Sequence, residues 1–405
     1  DDAMQLETDA KARPAEAEAF DTGQVLTIVG AHAVHDTYTG FLPPLLPLFI
    51  QNLALSRTEA GLLTVFNQGP SLLQPLIGHL ADRASLRTLV ILAPAIGGVT
   101  MGMLGVTSSY ALLALLLILS GINSAALHSV APVMAGRLSG RSLGRGMGLW
   151  MLGGELGRAL GPIVIVSAVE ILGLSRTPWL MVAGFLASAL LYVRLRDVPV
   201  HVARSVEPLP WRQFLSIMGP FLLPLIAIIT VRAFMISSLT TYLPVFLTEE
   251  GSELWLAGAS LTLLEGAGVA GALLGGSLSD RFGRRAVMGV ALLVTPILMF
   301  LFLFADGWLR IPLLLALGLT ALSVIPVLMA LVQESFPENR ALANGVYMAL
   351  SFLIRSAAVL VVGAIGDTWG MRPAFAVSAI APLLGLPFLW LFPKGRGSSA
   401  GRAPV

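Results

Sequence analysis

Nine ionisable side chains interrupt otherwise apolar stretches of this chain: His32, His35 and Asp36, then His128, Glu155 and Arg158, and later Arg232, Glu265 and Arg355. Placing such a group in a hydrocarbon span costs roughly 2.5–3.5 kcal/mol on insertion scales, so each one suggests function. His32, His35 and Asp36 are three or four residues apart, a spacing that predicts one shared helix face. A carboxylate beside imidazoles in a low-dielectric cavity suits a proton carrier, because its protonation can fall within the cell's pH range. Asp36 is the first choice for that carrier, with Glu265 and Glu155 as alternatives. Glu155 and Arg158 are one helical turn apart and can neutralise one another. Arg232 and Arg355 have no acid within a turn on their own helix, and a substrate anion can supply the missing partner. The polar residues expected to touch substrate are His32, His35, Tyr38, Gln74, His128, Arg158, Arg232 and Arg355. Metal ligation by the helix 1 residues is the rival chemistry. The nearby arginines disfavour a cation, so neither a metal nor a cofactor is expected.

The elements that must position these groups follow from composition. The chain has 405 residues, 56% of them hydrophobic and only 12% charged, with a mean hydropathy of +0.84. Soluble domains carry about twice that share of charge, which excludes a soluble enzyme, a disordered chain and a nucleic-acid binder. The absence of cysteine excludes disulfides and thiol chemistry. Twelve runs long enough to span a bilayer fall near 24–51, 59–81, 86–106, 109–136, 142–170, 177–195, 213–247, 255–279, 285–305, 308–334, 341–367 and 371–392. The predicted architecture is an all-α integral membrane protein. It has a polar tail (1–22), a first six-helix bundle (23–195), a linker (196–212), a second six-helix bundle (213–393) and a short tail (394–405). With both termini inside, eighteen of the 25 basic residues fall on the cytoplasmic side, four outside and three within spans. This bias predicts a multi-pass protein of the cell (inner) membrane with both termini cytoplasmic.

The halves repeat. Gly78, Asp82, Arg83 and Arg87 in the first match Gly276, Asp280, Arg281 and Arg285 in the second, at a constant offset of 198 residues. The same offset sets Asn67 against Glu265. Duplicated bundles place a substrate near mid-membrane between them and let them rock around it. The loop pattern G-x-L-x-D-R-x-x-x-R resembles the signature of the major facilitator superfamily between helices 2 and 3, repeated between 8 and 9. The eight matched residues are expected to latch the cytoplasmic gate. The resemblance also implies that helices 3, 6, 9 and 12 face lipid, and their apolar runs contain none of the nine ionisable groups.

Helix 5 carries Gly153, Gly157 and Gly161 at four-residue spacing, followed by Pro162, a ridge that permits close helix packing and a kink. It resembles the Gly-Pro antiporter signature of facilitator drug exporters. Together with His32 and Asp36, the run Ser71–Gly78 and the stretch from Gly121 to His128, it is similar to the fosmidomycin-resistance branch of the superfamily. That resemblance implies proton-driven export of small toxic compounds, phosphonates among them. Two departures fall where substrate should touch: Leu127-His128-Ser129 replaces a Phe-His-Pro run, and Glu155 and Arg158 stand at positions expected to be uncharged. The leading expectation is a proton-coupled antiporter that exports a small polar, anionic or zwitterionic compound by alternating access and works as a monomer in the lipid bilayer. An organic-anion importer or facilitator is the second reading. A transport-dead receptor or a membrane enzyme falls far behind, because no nucleophile motif and no long loop is present.

Overall fold

The computed structural model describes residues 20–81, 87–196, 211–336 and 339–392. They form twelve helical rods, and no strand occurs among the described residues. In the first half, α1 runs Thr22–Thr39 and resumes as Leu42–Leu53, and α2 runs Arg57–Gln68 and then, past a 3-10 turn, Gln74–Ala81. They are followed by α3 (Arg87–Gly102), α4 (Tyr110–Leu138), α5 (Leu143–Leu172) and α6 (Met181–Leu195). In the second half, α7 runs Trp211–Ser237 and continues through a π turn, Ser238–Tyr242, into Leu243–Glu249. Then come α8 (Leu254–Phe282), α9 (Arg284–Phe304), α10 (Arg310–Ser335), α11 (Arg340–Trp369) and α12 (Met371–Ile380, continuing as Ala381–Leu391). Nine of these rods are long and apolar enough to cross a membrane on composition alone. The other three, α1, α2 and α5, carry His32 and Asp36, Asn67 and Gln74, and Glu155 and Arg158.

The sequence predicted α1 as one span, but the structure breaks it at Gly40-Phe41. Pro43 and Pro44 cannot donate to the carbonyls one turn back, so the helix restarts there. The repeat offset carries Gly40 onto Ser238, the first residue of the π turn in α7. Both bundles therefore depart from regular α-helix at matched positions of their first helix, and irregular backbone is tolerated inside a membrane only where it is buried in protein or lines a cavity.

Close packing of α1 on α5 depends on glycine. A Cβ on Gly157 would lie 2.3 Å from the Ala33 carbonyl oxygen, and one on Gly153 would lie 2.7 Å from that of Val29. Backbone atoms cannot swing aside as a side chain can. Gly157→Ala should therefore push the two helices apart and cost about 1–3 kcal/mol, seen as a lower Tm of the detergent-purified protein.

The halves are joined at the end opposite Asp21 and Phe392, here the distal face. Asp367 of α11 accepts hydrogen bonds from the backbone N–H groups of Arg57 (2.7 Å) and Thr58 (3.0 Å) and from the Thr58 hydroxyl (2.6 Å). One half thus caps the exposed amides at the start of α2 in the other, where a helix N-terminus favours negative charge. The Arg57 guanidinium pairs with Glu249 at 2.8 Å. Tyr242, fully buried in the π turn, places its hydroxyl 3.0 Å from the Arg57 carbonyl and 2.9 Å from that of Val359. Further in, the Ile163 amide donates to the Thr262 hydroxyl (3.0 Å) and the Trp255 indole to Ser167 (3.1 Å).

Glu250, in the distal turn after α7, accepts hydrogen bonds from Arg372 at 2.6 and 3.2 Å and lies 3.5 Å from Arg310. The Arg372 bonds, with the charges of both arginines, hold this carboxyl below its ordinary value of 4.5. A lowered folded-state value means that the stabilisation is complete above the ordinary range and is lost only as pH falls through the depressed value. Hydrogen exchange in the 248–253 turn, corrected for intrinsic rate, should therefore match at about pH 7 and about pH 5 and rise only in stronger acid.

Candidate functional site

At mid-membrane depth the ionisable residues form two groups. The first lies inside the N-terminal bundle. His32 Nε2 is 3.1 Å from His128 Nε2 and 3.3 Å from Asp36 Oδ2, and His128 Nε2 is 3.7 Å from the same oxygen. Each imidazole is held from behind: His32 Nδ1 lies 2.9 Å from the Trp150 carbonyl oxygen and His128 Nδ1 2.9 Å from that of Ser124. The Trp150 ring stacks on His32 at 3.6 Å between centroids. Gly154 of α5 closes over the group, and a Cβ there would lie 2.4 Å from His32 Cε1. Asp36 is 5% exposed, and its Oδ1 has no hydrogen-bond partner. His128 keeps 30% of its side chain accessible and is the open side of the group.

The second group crosses from one bundle to the other. Glu155 and Arg158 contact one another on α5, with side chains 28% and 45% exposed. A charged pair this exposed at the centre of a membrane helix needs a water-filled cavity beside it. Glu265 of α8 is within electrostatic reach of Arg158 and Glu155 of α5 and of Arg355 of α11. Arg355 donates to the Thr240 hydroxyl of the π turn at 2.9 Å, while its Nε is buried without a partner. Acids and bases of both bundles thus come within electrostatic reach of one another.

Several expected residues lie elsewhere. Arg232 does not reach the interface. Its guanidinium donates to the Ala321 carbonyl of α10 at 2.9 Å, in a small pocket inside the second bundle lined by Met235, Ala291, Thr295 and Pro382. Its buried charge is met by its own bundle, which removes the reason for assigning it to substrate. His35 lies beside the group, its ring centroid 6.1 Å from that of His128, but does not join its hydrogen bonds. It is one residue from Asp36, about 100° around the helix, and its Nδ1 turns to the Ala93 carbonyl of α3 at 3.4 Å. Tyr38 is buried and donates to the Leu180 carbonyl at 2.6 Å, tying α1 to α6. Gln74 restarts α2 after the 3-10 turn, and its carbonyl accepts from Ser129 of α4 at 3.2 Å.

Of the expected gate residues, Gly78 falls in the last helix of α2 and Arg87 opens α3, whereas Asp82 and Arg83 lie outside the described residues. In the second copy, Asp280 pairs with Arg284 rather than with the matched arginines. Arg284 also reaches Glu334 of α10 at 2.7 Å and sits 3.5 Å from the Gly276 carbonyl. Arg281 lies over the Phe282 ring, and Arg285 enters the first turn of α9. The hub is Arg284, a position the repeat alignment passes over, and its partner is 50 residues away in sequence. Trp150 was likewise missed, since nothing in its own helix links it to His32.

A family model for the Major Facilitator Superfamily matches residues 28–275 and 257–404. The chain belongs to this superfamily. It is a multi-pass membrane transporter with two six-helix bundles, not an enzyme. The fosmidomycin resistance protein of Escherichia coli (strain K12) is 23% identical over 372 residues, covering 89% of this chain and 90% of that one. The multi-drug resistance efflux pump PmrA of Streptococcus pneumoniae serotype 4 (strain ATCC BAA-334 / TIGR4) is 24% identical over 307 residues, covering 73% and 77%. Among solved structures, a bacterial homologue of the human lysosomal transporter Spinster, inward-facing and occupied, superposes with a TM-score of 0.77 at 16% identity, covering 92% of this chain and 96% of that one. The D-xylose–proton symporter gives 0.71 at 17%, covering 92% and 97%. At these identities the structures bear on the fold alone.

Proposed function

We propose that this facilitator is a proton-coupled antiporter of the inner membrane, both termini cytoplasmic, exporting a small polar compound, and that of the anionic and zwitterionic classes the sequence allows it takes the zwitterionic. The observation that carries this reading is that Glu265 is within electrostatic reach of Arg158 in one bundle and of Arg355 in the other. The sequence favoured Asp36 as the proton carrier. Asp36 is buried between two imidazoles, however, whereas Glu265 is partly exposed and is within electrostatic reach of charges in both bundles, with Glu155 as the second acid. The cationic group of a zwitterion meets ionised Glu265, and its anionic group meets Arg355, whose buried Nε lacks a partner. Protonating Glu265 removes the attraction for the cation, so proton and substrate exclude one another, as antiport requires. A purely anionic substrate gains when the acid is protonated, which favours symport instead. The relatives named for drug resistance and efflux support export. The rocking of two bundles, with the distal latch closed in this state and the Asp280–Arg284–Glu334 cluster at the other end, supplies alternating access.

The test uses proteoliposomes with an imposed pH gradient and fosmidomycin, other phosphonates and amphoteric compounds as probes. Antiport accumulates a substrate in acid-interior vesicles. Accumulation in alkaline-interior vesicles instead would establish the importer reading.

A further inference from the structure

We propose that His32, Asp36 and His128 form a three-ligand site for a divalent transition metal of the zinc type, open to the central cavity at its fourth position. The first argument is the tautomer. Both Nδ1 atoms face backbone carbonyls at 2.9 Å. A carbonyl only accepts, so each Nδ1 carries its hydrogen and each neutral ring turns a lone pair inward at Nε2. Metal-bound histidines are typically held in this way from behind. Asp36 Oδ2 adds a third acceptor to the same small space. Three acceptors and no donor are unfavourable unless a cation occupies the point on which they converge.

The second argument is size. The three ligand atoms are 3.1, 3.3 and 3.7 Å apart. A tetrahedral ion with bonds of about 2.0–2.1 Å places its ligand atoms about 3.3–3.4 Å apart, so the triangle is already near the required dimensions. One shared proton bridges a single pair of acceptors, whereas a metal ion engages all three. Two imidazoles and one carboxylate suit zinc, cobalt or nickel and are a poor set for magnesium or calcium, which take oxygen.

The surroundings provide rigidity and access. Trp150 stacks on His32, and Gly154 leaves free the space that a Cβ would fill 2.6 Å from His32 Nε2 and 3.1 Å from Asp36 Oδ2. His128 is the exposed member, so an ion enters past it, and a water or a substrate group takes the remaining position. The opposing charge of Arg158 is offset by its contact with Glu155. The spacing within helix 1 does not disclose this set, because the third ligand comes from α4. The proposal departs from the expectation of no metal, which rested on the nearby arginines. The inference is independent of the direction of transport and of Glu265.

The test is made on the purified full chain after treatment with a chelator. Zinc is titrated by calorimetry and cobalt by visible absorption. The expected result is one ion per chain with the intense d–d bands of a four-coordinate cobalt centre, and affinity at least about tenfold weaker in both Asp36→Asn and His128→Gln. Lack of stoichiometric binding, or only the faint bands of six-coordinate surface cobalt, overturns the site on the wild-type protein alone, whether or not a variant folds. Binding that persists unchanged in folded Asp36→Asn and His128→Gln places the ion elsewhere and overturns it equally. A group that takes up only a proton gives the first of these negative results.

Discussion

In Glu265→Gln, gradient-driven accumulation should vanish and exchange of substrate across the membrane should weaken with it, because the substrate's cationic group is met by the ionised carboxylate. Glutamine keeps the shape and the hydrogen-bonding capacity of the protonated acid but can neither release nor take up a proton. For a one-to-one exchange, a gradient of two pH units supports at most about 100-fold accumulation. The wild type should approach that limit and the variant should remain near unity. Exchange at the wild-type rate together with lost accumulation would mean that Glu265 carries the proton without contacting the substrate cation. Full accumulation in the variant would move the coupling away from this residue, with Glu155 next to be tested. The charge of Glu265 is felt by both bundles, through Arg158 and Glu155 on α5 and Arg355 on α11.

Removing the Asp367 carboxylate should open the distal face. In Asp367→Ala the amides of Arg57 and Thr58 lose their acceptor and Arg57 loses a second acid 3.7 Å away. Hydrogen bonds that involve a charged group contribute about 1.5–3 kcal/mol each, but water can reach this partly exposed site and replace much of that. A net shift of about 2 kcal/mol is expected, roughly 30-fold in the balance between distal-closed and distal-open forms. The chain has no cysteine of its own, so spin labels at Ser108→Cys and Asp306→Cys report on the distal face without background. The distance distribution between them should broaden to longer values in Asp367→Ala. An unchanged distribution would show that the cap does not govern the gate.

The sequence discloses the fold well because the membrane limits the choices. Apolar runs of spanning length, arginines concentrated on one side and the repeated Gly-Asp-Arg loop each point to two six-helix bundles. Much of the candidate site was legible too, because an acid or base inside a span is conspicuous. What was not legible is pairing between distant segments. Nothing in helix 1 reveals that His32 will stack on Trp150, or that His35 and Tyr38 turn away to neighbours within their own bundle. Arg232 looked unpaired because its partner is a backbone carbonyl, and carbonyls are invisible to a search for opposite charge. Arg284 escaped for the opposite reason, since the repeat drew attention to the arginines on either side of it. The cap of Asp367 on α2 joins residues 310 positions apart, and no local pattern encodes it.

The central claim is that proton and substrate move in opposite directions through one site between the bundles. The most direct measurement is the internal pH of proteoliposomes, read by a trapped dye as phosphonate and zwitterionic compounds are added outside. The account predicts that a transported compound entering the vesicles drives protons out, raising internal pH, and that Glu265→Gln abolishes the change. Transported compounds that lower internal pH, or leave it untouched, would contradict it.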